Sequence, residues 1–277
     1  AARRRLATPL RAGASLEAGF SRAFWGTCLS MVPPGAAVAK GLLAGGSLRP
    51  QLGAIQAFQV LVATAAALSV MRSAAGRGRL SGTTFRVLAL GLLGASAAIF
   101  ADALYAAGKL ALALARGPVV VSPEQVSVVL ALAAAWAAGT ASYKTLQQHG
   151  LPSFKLGIDS QGSPLLSCLA LGYLVTSLHS LWWGSVLTLH SPLKLVGALR
   201  WFVIAGIAHV CQTAAVAGTK RLASQTYRLL NLGLALDSAA RLAVVACVVR
   251  SPPAYWCLPA LALASSAGGW LAGTLAG

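Results

Sequence analysis

Long apolar runs separated by short polar connections make up most of the chain. Eight runs can be distinguished, and most reach the ~20 residues that a helix needs to cross a hydrocarbon core about 30 Å thick. The first run is short and contains Pro33-Pro34-Gly35, which predicts a kinked, tilted or half-inserted helix. The pattern predicts an all-α integral membrane protein with about eight transmembrane helices. The runs cover residues 23–39, 53–71, 87–108, 126–142, 164–189, 195–218, 229–249 and 254–277.

The second half of the chain repeats the first half in the same direction. Residues 53–58 return 144 positions later as residues 197–202, and residues 84–92 return 142 positions later as residues 226–234. Residues 136–141 return 134 positions later as residues 270–275. Three matches in the same order indicate a duplication, and an even number of spans per unit inserts both units in parallel. We therefore expect two parallel (direct) four-helix repeats. The first covers residues 1–148 and includes a basic N-terminal segment, the second covers residues 149–277, and a linker occupies about 143–163.

The composition supports a membrane location. The chain of 277 residues is 57% hydrophobic and only 10% charged, whereas charged residues approach a quarter of soluble domains. Its net charge of +17 comes from 22 Lys and Arg against 5 Asp and Glu. These basic residues flank apolar runs rather than forming one patch with interleaved aromatics, so the membrane surface explains them better than nucleic acid does.

Charge and the first residues give a predicted orientation and compartment. With eight spans, the side that holds the N-terminus carries more Lys and Arg than the other side, which places both termini on the stromal or matrix side. Ala1-Ala2-Arg3-Arg4-Arg5 resembles a trimmed mature end or the remnant of an Arg-rich transit peptide, which favours an organelle, the plastid thylakoid over the mitochondrial inner membrane. The five cysteines form no CxxC pair and no Cys/His cluster of zinc spacing, which predicts buried free thiols.

Histidines in apolar runs are the first candidate for a binding site. His179 and His190 are 11 residues apart, so on a helix they lie about 20° and roughly 16 Å from each other. Trp182 and Trp183 follow on or beside the same face, and His209 is in the next run. Neutral imidazoles with flat aromatic neighbours suit axial ligation of a tetrapyrrole metal, which implies chlorophyll, and carotenoid beside it, as cofactors. The alternative is packing: an interfacial His190, belt tryptophans and a His209 bonded to a neighbouring helix.

Asp237 and Arg241 are the second candidate, four residues apart near the middle of the seventh run. Charges at that depth are costly, so they should pair with each other or with a bound group. One interpretation is a proton or anion site in a carrier, and the other is a structural ion pair. The first half has Ala95 and Ile99 at the corresponding positions, which weakens a symmetric carrier mechanism.

No motif indicates catalysis, because nucleotide-binding loops, HExxH, nucleophile elbows and paired carboxylates are all absent from the sequence. The sequence predicts a non-catalytic, pigment- and lipid-binding accessory subunit of an organellar, photosystem-like membrane complex. Its expected partners are other membrane subunits and lipids, not nucleic acid. The alternative is a secondary transporter or a metabolite or lipid carrier built from two parallel four-helix repeats. A membrane-insertion factor that uses the basic face is a third hypothesis, supported by charge alone.

Overall fold

The computed structural model describes residues 2–44, 52–117, 123–154, 164–189, 199, 201–216, 222–247 and 253–275, and every regular element within them is an α-helix. The all-α prediction is confirmed. In chain order the helices are α1 (Ala2–Ser30), α2 (Val32–Leu43), α3 (Leu52–Gly76), α4 (Thr83–Arg116), α5 (Pro123–His149), α6 (Pro164–Leu189), α7 (Trp201–Val216), α8 (Ser224–Cys247) and α9 (Pro253–Leu275).

Proline and glycine set several helix ends. Pro123, Pro164 and Pro253 are the first residues of α5, α6 and α9, where the missing N–H costs no intrahelical hydrogen bond. Gly150 follows α5 with φ 77°, and its N–H donates to the Leu146 carbonyl, as in a left-handed C-terminal cap. Proline therefore marks the start of these helices, and glycine marks the end of α5.

Within the residues that the structure describes, five helices are long and apolar enough to cross a membrane: α3, α4, α5, α6 and α8. This is fewer than the eight expected runs. The first run is divided between α1 and α2, which separate at Met31 just before the two prolines. The described part of the sixth run is α7, which has only 16 residues. In α9 the serines, the glycines and Trp270 of its second half lower the mean hydropathy, although the helix is 23 residues long.

Neighbouring helices pack in the same pairs in both halves of the chain. In the first half, α1 and α4 each pack against both α3 and α5. In the second half, α6 and α8 each pack against both α7 and α9. The two halves meet where α3 packs against α8 and where α4 packs against α7. The core therefore lies mainly between α3, α4, α7 and α8, where leucines and isoleucines are fully buried, among them Leu68, Leu92, Ile204, Ile207 and Leu234.

Two glycines allow the halves to approach closely. A Cβ on Gly91 of α4 would lie 2.8 Å from the Phe202 carbonyl oxygen of α7. A Cβ on Gly233 of α8 would lie 2.6 Å from the Ala66 Cβ of α3. Because either contact is too short for a real side chain, both crossings require glycine, as small residues at membrane helix interfaces do.

Candidate functional site

The two charged residues of the seventh run form a buried ion pair on α8. Arg241 Nη2 lies 2.8 Å from Asp237 Oδ2, and the two side chains are 7% and 0% exposed, respectively. Their spacing of four residues places them on one face of the helix, one turn apart. The structure therefore brings Asp237 and Arg241 together inside the protein, away from lipid and water.

Three other helices contribute partners to this pair. Gln59 Nε2 of α3 donates a 2.7 Å hydrogen bond to Asp237 Oδ1. Arg241 Nη2 donates to Ser180 Oγ of α6 at 3.3 Å, and the guanidinium carbon lies 4.4 Å from the centre of the Trp201 ring at the start of α7. Because Gln59 belongs to the first half of the chain and the other partners to the second, the pair joins the halves. We call these five side chains the central cluster.

His179 lies at the edge of the central cluster. It precedes Ser180 on α6 and is half-buried, and the Arg241 guanidinium is close enough to act electrostatically on its imidazole. Trp182 and Trp183 follow on the same helix, but their side chains are outside the described residues, as is all of His190. Of the proposed pigment-binding residues, the structure thus places only His179 near the ion pair.

His209 is buried on α7 in a different environment. Its ring centre lies 5.4 Å from that of Phe154, a residue of the segment that follows α5. The adjacent cavity of about 160 Å³ is otherwise lined largely by hydroxyl side chains, Thr83, Thr84, Ser153 and Thr213. This volume is below the ~300–1,000 Å³ of typical small-molecule sites.

A second buried polar cluster in the second half was not predicted. The Tyr173 hydroxyl of α6 bonds to Asn231 Oδ1 of α8, lies 3.3 Å from the Tyr227 hydroxyl and lies 3.1 Å from the Ser265 carbonyl oxygen of α9. Asn231 Nδ2 donates to the Tyr227 carbonyl one turn earlier. The signal in the sequence was Asn231, an amide near the start of the seventh apolar run, where polar groups need a partner on a neighbouring helix.

Small residues in α9 make room for this cluster. A Cβ on Gly269 would overlap the Tyr173 hydroxyl and lie 2.7 Å from Asn231 Oδ1, and one on Gly273 would lie 3.0 Å from Arg228 Cγ. The spacing of four residues between these glycines therefore corresponds to close helix packing, since both face α8.

Two adjoining cavities open on the outside of α5 and were also not predicted. The first, about 300 Å³, lies between α4 and α5 and is almost wholly apolar, with aromatic walls from Phe100, Trp136 and Tyr143. The second, about 160 Å³, lies between α1 and α5 and includes Arg22 and Lys144. The most exposed of the aromatic walls is Trp136, whose side chain is 66% exposed.

The prediction of buried thiols is partly wrong. Cys211 is buried and Cys28 is half-buried, but Cys168 and Cys257 are exposed on α6 and α9, because their positions on these helices face outward from the bundle. Within the described part of the chain, no three side chains of the His, Cys, Asp and Glu types lie together as a metal site would require.

Comparisons with protein-family models, with curated proteins and with solved structures found no match for this chain.

Proposed function

We propose that the protein is a membrane-embedded, non-catalytic accessory subunit of an organellar, photosystem-like complex, and that it holds lipid and pigment against its helices. The observation that carries the proposal is the apolar cavity between α4 and α5, which opens outward and is walled by three aromatic side chains. Apolar surfaces with aromatic rings suit acyl chains and polyenes. Five apolar helices of spanning length support the membrane location.

The central cluster favours a structural function over transport. Asp237 contacts both Arg241 and Gln59, and Arg241 also contacts Ser180 and the face of Trp201. A carrier site has to exchange its protein contacts for substrate contacts, whereas these charged groups already bind one another. A buried pair of this kind fixes how helices pack, which is a known use of ionic groups in protein interiors.

Helix packing supports an arrangement of two related four-helix units. When each helix is replaced by its counterpart in the other half, the α3–α8 contact becomes the α7–α4 contact. The four packed helix pairs of one half likewise become those of the other half. Gly91 and Gly233, which are equivalent in the repeated segment, both lie at these contacts between the halves. Such a pattern is what a pseudo-two-fold axis between parallel repeats would produce.

The closing helices limit how closely the repeats can superpose. Gly139 of α5 packs beside Ser96 of α4, while Gly273 of α9 packs beside Tyr227 and Arg228 of α8. With the offset of 142 residues, Tyr227 corresponds to Phe85, 11 residues before Ser96. The 134-residue offset therefore pairs Gly139 with Gly273 although they lie at different heights along the neighbouring helices α4 and α8. Matching positions in the two halves are kept only by the central helices α3, α4, α7 and α8.

The carrier remains the second candidate because of one observation. His179 lies beside a charged pair to which four helices contribute, and titratable groups together at such a depth can move protons. The two proposals differ in what His179 does: it ligates a pigment metal in the first and exchanges a proton in the second.

Matched histidine variants test the proposal. We expect His179→Leu to lower the pigment content of the protein purified from its native membrane, while His209→Leu leaves it unchanged because the cavity beside His209 is smaller than typical small-molecule sites. The two variants keep their helices apolar and can be compared at equal yield. Equal pigment content in wild type and His179→Leu, together with a proton flux in liposomes that His179→Leu abolishes, would favour the carrier.

A further inference from the structure

The two cavities on α5 together form one cleft with two chemical characters. Trp136 and Thr140 line both cavities, so the apolar space on the α4 side and the space on the α1 side adjoin along the outer face of α5. The apolar stretch of α5, within Gln125–His149, is only 28% buried. The apolar stretch of α3, within Ala57–Gly76, is 61% buried. The outer face of α5 is therefore open to whatever surrounds the protein. We call the combined space the α5 cleft.

The apolar part of the α5 cleft suits a hydrocarbon chain. Phe100 and Trp136 pack against each other, with ring centres 5.7 Å apart and planes inclined by 38°, and together form one continuous aromatic wall of the cleft. Gly139, one turn along α5, also lines the cavity and packs beside Ser96. The volume of about 300 Å³ is at the lower limit of typical ligand sites, which fits part of a flexible chain better than a broad ring system.

The basic part of the α5 cleft suits a phosphate group. Arg22 and Lys144 line it together with the hydroxyl-bearing Ser15 and Thr140, and none of the described residues that line either cavity is acidic. Glu17 is the nearest acid along α1, but its carboxylate lies within 3.3 Å of where a Cβ on Gly76 would be, on the side of α1 that faces α3. The Glu17 carboxylate of α1 therefore does not neutralise the positive charge of the cleft.

The tryptophan that aligns with Trp136 in the repeated segment has different surroundings. Trp270 follows Trp136 at the 134-residue offset but lies at a different level, and the Arg228 guanidinium covers its ring at 5.0 Å, with an exposed fraction of 37%. A cation of the protein itself thus occupies the ring face there, while the face of Trp136 borders the cleft. Trp270, a tryptophan outside the cleft, therefore serves as the control for every change at Trp136.

We propose that the α5 cleft binds one anionic phospholipid, with its phosphate at Arg22 and Lys144 and one acyl chain along the wall that Phe100 and Trp136 form. Guanidinium and ammonium groups bind phosphate through charge-assisted hydrogen bonds, and basic residues at the ends of membrane helices recognise anionic head groups. The identification deepens the proposed lipid-binding function, on which it rests, by naming the lipid class.

Retention of two lipids with identical chains tests the head group. The protein is reconstituted in nanodiscs with equal amounts of palmitoyl-oleoyl phosphatidylglycerol and palmitoyl-oleoyl phosphatidylcholine, then extracted in detergent and analysed by native mass spectrometry. We expect one retained phosphatidylglycerol per protein. Arg22→Gln with Lys144→Gln should weaken its retention by about tenfold or more, because two charge-assisted contacts are lost. Arg77→Gln with Arg79→Gln removes the same charge from the exposed turn after α3 and should leave retention unchanged.

The apolar part is tested with the two tryptophans. Trp136→Ala should reduce retention of phosphatidylglycerol, whereas Trp270→Ala should not. The choice of an anionic lipid would be overturned if the Arg22/Lys144 variant and the Arg77/Arg79 variant lost phosphatidylglycerol equally. It would also be overturned if the wild type retained the two lipids equally. Either result would leave lipid binding itself intact. Failure of the wild type to retain either lipid would contradict the proposed function as well.

Discussion

Removing one partner of the buried ion pair should destabilise the protein severely. In Arg241→Ala the Asp237 carboxylate, which is 0% exposed, keeps only the hydrogen bond from Gln59. The variant also loses the bond to Ser180 and the contact with the face of Trp201. Breaking a buried pair in this way costs about 3–5 kcal/mol, since the remaining charge is left without a counter-ion.

Replacing the whole network by apolar residues should cost far less. The chain itself supplies the residues: by the repeat offsets, Val203, Ala95 and Ile99 stand at the positions that correspond to Gln59, Asp237 and Arg241. Val203 and Ala95 are themselves fully buried. The triple variant Gln59→Val, Asp237→Ala and Arg241→Ile should therefore lie within about 1–2 kcal/mol of wild type, because apolar replacements of buried pairs are often neutral.

The assay is reversible unfolding in mixed micelles, monitored by tryptophan fluorescence and circular dichroism. Arg228→Ala is the control, since this arginine is on the same helix and also lies over a tryptophan, Trp270, at 5.0 Å. It should cost no more than about 1–2 kcal/mol, the range for one cation–π contact. The reasoning is refuted if Arg241→Ala and the triple variant have the same free energy of unfolding, or if Arg228→Ala is as damaging as Arg241→Ala.

Three other changes test helix packing and hydrogen bonds outside the central cluster. Gly91→Ala should cost about 1–3 kcal/mol, because the added Cβ would lie 2.8 Å from a carbonyl of α7, while Gly108→Ala, which has open space around it, should be neutral or stabilising in the same unfolding assay. Tyr173→Phe should cost about 0.5–1.5 kcal/mol through the lost hydroxyl contacts, and an unchanged stability would show that these contacts contribute nothing. Arg86→Gln should speed limited proteolysis near residue 151, since Arg86 Nη1 holds the carbonyls of residues 149 and 151 at 3.0 Å; an unchanged cleavage rate would contradict this.

Helix positions were largely predictable because hydropathy and proline both mark them. The fifth run was predicted at 164–189, and α6 covers Pro164–Leu189. Prediction was poorest where the sequence mixes signals: α1 extends well before the first apolar run, and α4 continues to Arg116 because its alanines and leucines favour helix beyond the predicted end at residue 108. At about 1.5 Å per residue, the 34 residues of α4 reach roughly 51 Å, more than one hydrocarbon core requires.

The site was predictable only within single helices. Asp237 and Arg241 could be paired from their spacing and depth, since both arguments use one element. Gln59 and Ser180 could not be assigned to the pair, because their contacts depend on how α3 and α6 cross α8. The same limit applies to the α5 cleft, where Arg22 and Lys144 are far apart in the sequence and meet only through packing of α1 against α5.

The visible absorption spectrum of the protein purified with its native membrane lipids in polymer-bounded nanodiscs is the most direct measurement of the proposed function. A subunit that holds pigment through His179 should show chlorin or carotenoid bands in fixed ratio to protein. It should also retain lipid after exchange into detergent. A preparation that is folded by circular dichroism, lacks visible absorption and retains no lipid would contradict the pigment- and lipid-holding function.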